Sequence, residues 1–353
     1  MVVLGDLTKY GAIMAKVSVM KRGLLTRDDY IALINKRSVA ELTSYLKNET
    51  SYGPVLETVN ENNVHRGELE RLMNNALIED VVKLYRFDNG ENQKFYTYVF
   101  IRAEIEILKL MLRRLSNDEV DLSWTADIPD FFRKHFTINL DLLSKSTTLK
   151  ELLENLSGSR YESVIAPLLS LKEHQNLLSV EMTLDMYYYS VVDKLKAELT
   201  DIEDRELLDE TVGSEVDMLN LLWIYRCKKY FDMPKELIYS FIIPNKYKLG
   251  KKTIMELVEA PSAEDFLEAV KRTPYRNTFV REAGEFFEQS YKKFVYRMHQ
   301  KKVKECPFSI ESAISYLHFK EFEIDNLTSI IEGLRYGLSP DEIKPYVVGF
   351  DLD

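Results

Sequence analysis

The sequence predicts an all-α protein built from three copies of one helical unit of about 110 residues. A five-residue motif carries this prediction: an acid, a β-branched aliphatic residue, a second acid, any residue and leucine. Its copies begin at Glu104, Glu215 and Glu323, which lie 111 and 108 positions apart. The alternating polar and apolar runs that are typical of strands are scarce along the chain.

A second signature precedes each acidic motif and supports the triplication. It contains a hydroxyl residue followed three positions later by an acid, which is the spacing of a helix-capping box. The hydroxyl residues are Ser38, Thr148 and Ser262, and the tyrosines that follow them are Tyr52, Tyr161 and Tyr275. Two further boxes are predicted after the acidic motif, at 116–119 and at 339–342. We therefore expect three homologous helical domains, at residues 1–120, 121–235 and 236–353.

The acidic motif is predicted to lie on a helix, because apolar residues recur around it at helical spacing. Val216, Leu219 and Trp223 form one such stripe in the second copy. The first acid then falls at the edge of the stripe and the second nearly opposite it. We expect the first acids to be partly buried and paired with a donor, since an unpaired buried carboxylate is costly. The second acids, Glu106, Asp217 and Asp325, should lie in solvent.

Two interpretations of Glu104, Glu215 and Glu323 follow from this placement. In the first, which we favour, each carboxylate makes a structural ion pair within its own unit, as carboxylates at the edge of a core commonly do. In the second, the three carboxylates form a ring that lines a shared central surface.

Composition restricts the classes of protein to which the chain can belong. The 353 residues have a net charge of −10, which argues against a general nucleic-acid binder, because such proteins need many lysines and arginines. No run of residues is apolar enough for a membrane-spanning helix, and the first residues do not form a secretory signal. Two cysteines, Cys227 and Cys306, are too few for a disulfide framework. We expect a soluble protein that faces the cytosol.

The sequence contains no pattern that predicts a catalytic, metal-binding or cofactor-binding residue. The five histidines are not placed at metal-ligand spacing. The segment 250–253 lacks the glycine and hydroxyl positions of a phosphate-binding loop, so no bound nucleotide is expected. The aromatic run 187–189 is predicted to pack between helices.

A basic stretch, Tyr291–Lys304, contains no acid and has one apolar face. Its cations are Lys292, Lys293, Arg297, Lys301, Lys302 and Lys304. A solvated helix face is the simpler interpretation. Contact with an anionic surface or with lipid headgroups is the alternative.

These features resemble the C-type subunit of prokaryotic V/A-type ATPases, the counterpart of the d-type subunit of the eukaryotic vacuolar enzyme. The resemblance rests on the repeated acidic helix, on the early segment from Ser38 to Tyr52, and on the closing Leu338–Ile343. The opening segment from Tyr10 to Leu25 also fits, and the resemblance covers about Tyr10 to Val348.

The resemblance implies a pseudo-threefold, funnel-like arrangement of the three helical domains. It also implies a non-catalytic adapter on the cytoplasmic face of the membrane, with no cofactor and no nucleic acid. The adapter would sit on the proteolipid rotor ring, receive the central shaft of D-type and F-type subunits, and transmit torque. The basic stretch would then be a candidate ring-facing or membrane-facing patch.

Two other hypotheses compete with the adapter. A helical scaffold that binds a helical partner and is unrelated to ATPases is the alternative, although solenoid scaffolds have shorter periods of about 30 to 50 residues. A helical enzyme with carboxylate metal ligands is disfavoured, because such bundles use Glu-x-x-His pairs that this sequence lacks.

Overall fold

The computed structural model describes residues 4–88, 91–117, 128–169, 177–244, 247–279 and 287–349. Over these segments the chain consists of helices and turns, without a strand, so the predicted all-α class is confirmed there. Numbered in chain order, the long helices are α1 (Leu4–Lys21), α4 (Arg66–Phe87), α6 (Thr97–Asn117), α11 (Leu177–Ala197), α12 (Ile202–Tyr230), α17 (Phe287–Glu305) and α18 (Ile310–Arg335).

Short helices fill the segments between the long ones. They are α2 (Arg27–Ile34), α3 (Val39–Glu49), α5 (Glu91–Phe95), α7 (Asp130–Arg133), α8 (Leu140–Leu143), α9 (Leu149–Asn155), α10 (Glu162–Leu169), α13 (Lys235–Ser240), α14 (Lys251–Glu259), α15 (Ala263–Val270), α16 (Arg276–Phe279) and α19 (Pro340–Ile343). A 3₁₀ turn, Lys344–Tyr346, follows α19. Among the helices of these segments, none combines the length and the apolar character that crossing a bilayer requires.

The predicted N-caps begin the helices they were expected to begin. The hydroxyl oxygens of Ser38, Thr148 and Ser262 accept hydrogen bonds from the amide three residues later, at 3.2, 3.2 and 3.0 Å. The complete reciprocal box is present at 339–342. The return bonds of Glu41 and Glu151 go to the amide one residue before the cap, not to the cap itself. Part of the box predicted at 116–119 lies outside the described residues.

Three long helices, α6, α12 and α18, carry the acidic motif, and we call them the acid helices. Each packs against a second long helix: α6 on α11, α12 on α17, and α18 on α4. The ion pairs Lys109–Asp185 and Arg113–Glu181, both at 2.6 Å, show that α6 and α11 run antiparallel. Antiparallel contacts also join the other two helix pairs through Glu210–Lys302, Arg226–Glu288, Asp80–Tyr316 and Arg66–Glu332.

The two ends of the chain pack together around α18. Leu33, Leu42 and Leu56, from the first residues of the chain, share one hydrophobic core with Leu327 and Ile331 of α18. Around α6 and α12, the cores include residues that follow the acid helix in sequence, from 128–165 and from 238–275 respectively, and the core around α6 also includes residues of α1 and α18. An early and a late segment of the chain thus share one core, and the division at residues 120 and 235 stays a prediction.

Candidate functional site

A buried pair of a carboxylate and a tyrosine joins each acid helix to a segment of short helices. The tyrosine hydroxyls donate hydrogen bonds in the pairs Tyr161–Glu104 (2.9 Å), Tyr275–Asp217 (2.9 Å) and Tyr52–Glu323 (2.8 Å). Burial raises the pKa of each tyrosine, and the charge of the neighbouring carboxylate raises it further. The phenols therefore stay protonated and keep donating to their partners.

Backbone amides also donate hydrogen bonds to these carboxylates. Glu104 accepts from the amides of Thr137 and Ile138. Asp217 accepts from Lys248 and Leu249 at 2.9 and 3.1 Å. Glu323 accepts from Leu25 and forms an ion pair with Lys320 at 2.6 Å. Each carboxylate thus anchors the loop that packs on its helix.

The expectation about which acid is buried is wrong in α12. Asp217, expected in solvent, is 0% exposed, whereas Glu215 is partly exposed. Glu106 and Asp325 are exposed as predicted. The contacts therefore place Asp217, not Glu215, in the position that Glu104 and Glu323 occupy.

Two asparagines mark the position of the buried acid in the second and third copies. Asn220 and Asn326 each exchange two hydrogen bonds with one backbone residue, Ile243 and Val348 respectively. Each asparagine lies three positions after the buried acid of its helix. The acid-x-x-Asn spacing was the sequence signal that could have identified Asp217.

With the helices aligned on the buried acids, one position brings three charged side chains together. Two residues before the acid lie Arg102, Glu215 and Glu321, all partly exposed. Arg102 Nη1 lies 3.1 Å from Glu321 Oε2. The Tyr291 hydroxyl donates to Glu215 at 3.3 Å. We call Arg102, Glu215 and Glu321 the charged layer; a ring formed by Glu104, Glu215 and Glu323 is not what the structure brings together.

The charged layer is partly buried, and its side chains line small cavities. The side chains of Arg102 and Glu321 are 37% and 29% exposed, yet burial is the largest influence on the pKa of each. Burial raises the pKa of Glu321, but the Arg102 charge and a hydrogen bond from His318 outweigh it and hold the value at about 2. The Glu321 and Glu215 charges raise the pKa of Arg102 against the effect of burial. Arg102 and Glu321 are therefore both charged, and their side chains remain partly exposed.

Two small cavities, of about 20 and 30 Å³, lie beside the charged layer. Residues one turn before the layer on each acid helix line them: Tyr98, Thr211 and Leu317. Two turns before the layer come Phe95, Leu208 and Ile314, which are buried and line the first cavity. Leu208 and Ile314 of two acid helices and Phe95 at the end of α5 thus form an apolar base, below a mixed level and a charged level on the acid helices.

Two stacked histidines border these cavities. The rings of His299 and His318 lie 4.2 Å apart at an angle of 20°. Burial and the neighbouring His318 lower the pKa of His299, in spite of Glu311 at 2.7 Å from its Nδ1. Burial also lowers the pKa of His318, but its hydrogen bond to Glu321 and the charge of Glu321 raise it above the ordinary value.

Some lysines of the basic stretch on α17 form ion pairs within the protein, although the sequence suggested a solvated face. Lys302 is buried and pairs with Glu210 at 2.6 Å and with Glu305 at 3.1 Å, so a solvated position is wrong for this residue. Lys292 pairs with Asp325 at 2.6 Å. Lys293 is partly exposed, and the exposed cations of the stretch are Arg297, Lys301 and Lys304.

The aromatic run 187–189 borders the site, since Tyr188 and Tyr189 line the first cavity. Cys227 is buried, and burial raises the pKa of its thiol to about 11. Within the described segments, no three His, Cys, Asp or Glu side chains are grouped so that they could hold a metal ion.

Comparison with known proteins gives one consistent family. The sequence profile described as "ATP synthase (C/AC39) subunit" matches residues 13–346. The C subunit of the A-type ATP synthase of Thermococcus kodakarensis is 24% identical over 98% of this chain and 92% of its own. The proteins of the same name from Methanosarcina mazei and Methanosarcina acetivorans are 24% and 25% identical, each over 97% of this chain and 93% of their own.

Proposed function

This chain belongs to the ATP synthase (C/AC39) subunit family, and we propose that it is the non-catalytic rotor adapter of a V/A-type ATPase. In this role it sits on the proteolipid ring at the cytoplasmic face of the membrane. It receives the end of the central shaft, made of D-type and F-type subunits, and passes torque between shaft and ring during ion transport or ATP synthesis.

The observation that carries this proposal is the partly buried charged layer between the three acid helices. A site of this kind suits the end of a helical partner, because helices bind in grooves and hollows between other helices. Below the layer, the apolar side chains of Phe95, Leu208 and Ile314 are buried. A shaft that enters would therefore stop at Arg102 and Glu321.

Stiffness is the second requirement of a torque-transmitting part. The three carboxylate–tyrosine pairs tie each acid helix to its short helices, and the antiparallel long helices brace it from the other side. We propose three similar units around one axis, formed by residues 97–197, by residues 202–305, and by residues 310–349 together with 25–87. Compared with the division predicted from the sequence, these units are shifted along the chain, and the third unit combines an early segment of the chain with a late one.

Binding of the shaft and the ring is the experiment that tests this function. The purified protein is mixed with the D–F shaft heterodimer and, separately, with membranes stripped of the soluble head but retaining the ring. We expect a stable complex with the shaft in size-exclusion chromatography and sedimentation with the membranes. A protein that stays free of both, under conditions where the rest of the complex assembles, would favour the scaffold alternative.

The exposed end of the basic stretch is our candidate for the ring-facing or membrane-facing surface. Arg297 and Lys304 are exposed, whereas Lys292 and Lys302 make ion pairs within the protein. The double reversal of Arg297 and Lys304 to glutamate should weaken sedimentation with the stripped membranes. The matched control reverses two exposed lysines of other helices, Lys150 and Lys251. Equal sedimentation of both double variants would remove this surface from the proposal.

A further inference from the structure

We propose that the charged layer recognises a lysine or arginine at the tip of the partner, and that Glu215 is the residue that binds it. This inference rests on the proposed shaft-binding function and adds to it the chemistry of the contact. The partner's cation would reach Glu215 from the solvent side of the layer.

Two of the three charged side chains in the layer pair with each other. Arg102 is paired with Glu321 at 3.1 Å, and His318 also approaches Glu321, at 3.3 Å. Glu215 accepts a 3.3 Å hydrogen bond from the Tyr291 hydroxyl. The Glu215 charge acts on Arg102 and raises its pKa, but Arg102 makes its direct ion pair with Glu321, not with Glu215. A carboxylate in a partly buried site is stabilised strongly by a cation that arrives with a binding partner.

His299 faces the same cavity as Glu215. His299 is 2% exposed, and its Nε2 has no hydrogen-bond partner in the described structure. Its Nδ1 lies 2.7 Å from a carboxylate oxygen of the buried Glu311. The proton of the neutral ring therefore belongs on Nδ1, which leaves the lone pair of Nε2 without a donor. A buried acceptor without a donor indicates a missing donor group.

The charge of Glu215 makes a cation the suitable group at this site, whereas a water molecule is enough to donate to His299 Nε2. Glu215 and His299 Nε2 are both acceptors, and an ammonium or a guanidinium offers several N–H donors and no acceptor. The rings of Tyr98, Tyr188 and Tyr189 line the same cavity, and aromatic faces attract cations.

The size of the cavity places the cation at its mouth. A volume of about 20 Å³ suits a water molecule and not a side chain. The partner's basic group therefore binds at Glu215, and a water molecule carries the hydrogen bond onward to His299 Nε2. The buried apolar level beneath keeps the partner from entering further.

The test measures the affinity of the purified D–F shaft heterodimer for the intact protein and for two variants. Glu215→Gln keeps the size of the side chain and removes its charge. The matched control is Glu206→Gln, an exposed glutamate on the same helix α12. We expect Glu215→Gln to weaken binding at least about tenfold, as loss of a desolvated charge pair does. The control should bind as the unaltered protein does, and the salt dependence of binding should decrease for Glu215→Gln alone.

A charge exchange identifies the partner's residue. Glu215→Lys should abolish binding, and a shaft in which one basic tip residue is changed to glutamate should restore it. If Glu215→Gln folds normally by circular dichroism and binds the shaft with unchanged affinity, the inference is overturned and the proposed function stands. If the unaltered protein does not bind the shaft, it is the proposed function that fails.

Discussion

Replacing Asp217 with asparagine should lower the free energy of unfolding by about 3 kcal/mol. The side chain is 0% exposed, and three donors converge on its Oδ2. These are the amides of Lys248 and Leu249, at 2.9 and 3.1 Å, and the hydroxyl of Tyr275 at 2.9 Å. The substitution preserves the shape of the side chain and removes the charge that all three donors share.

The magnitude follows from the difference between charged and neutral acceptors. An asparagine oxygen can occupy the position of Oδ2, so the three hydrogen bonds persist with a neutral acceptor. A hydrogen bond to a charged group contributes about 1.5–3 kcal/mol, and a neutral one about 0.5–1.5 kcal/mol. The loss is therefore about 1 kcal/mol for each of three bonds.

Urea unfolding followed by far-ultraviolet circular dichroism measures this loss, with Glu215→Gln as the control on the same helix. Glu215 is partly exposed and has one long hydrogen bond, from Tyr291 at 3.3 Å. Its substitution should cost less than about 1 kcal/mol. If Glu215→Gln costs as much as Asp217→Asn, the alignment of the three helices on Glu104, Asp217 and Glu323 is refuted.

Three further predictions concern other parts of the fold. Tyr52→Phe and Tyr161→Phe should each lower the free energy of unfolding, measured in urea, by about 1.5–3 kcal/mol. Only Tyr52→Phe should also speed tryptic cleavage near the termini, because Tyr52 binds a carboxylate 271 residues away. The raised pKa of His318 stabilises the fold fully below the ordinary value of 6.5, and this contribution is lost as pH rises through the folded pKa. In the His318→Gln variant, the urea midpoint should therefore fall less steeply than in the unaltered protein as pH rises above 6.5. Gly333→Ala would bring the new Cβ within 2.5 Å of Ile343 Cγ1. The Tm of the variant should therefore fall by an amount equivalent to about 1–3 kcal/mol. Adding Ile343→Ala should recover part of this loss.

Local patterns in the sequence were sufficient for the helices and their caps. Ser38 and Thr148 begin their helices as predicted, and the apolar residues around Glu104 form one buried stripe. Such patterns depend on contacts within a few residues, and these repeat wherever the unit repeats. The tyrosines were found as markers of the repeat, but their partners were not, because Tyr52 binds Glu323 at the opposite end of the chain.

The charged layer could not be predicted, because its members share a position and not a residue type. Arg102 is basic, whereas Glu215 and Glu321 are acidic, so no repeated letter marks the site. The motif contains two acids two positions apart, so the sequence alone allows either acid of α12 to align with Glu104. Only the donors that surround Asp217 distinguish the two.

The two acids of the motif in α12, Glu215 and Asp217, show how one helix can contribute both to stability and to recognition. Residues two positions apart on a helix point about 200° away from each other. Asp217 therefore faces Tyr275 and the short helices, while Glu215 faces the cavity beside His299. Because separate donors surround each carboxylate, Asp217→Asn should weaken folding, whereas Glu215→Gln should weaken binding with little loss of stability. If each substitution instead changed both quantities equally, the two faces would not be energetically separate.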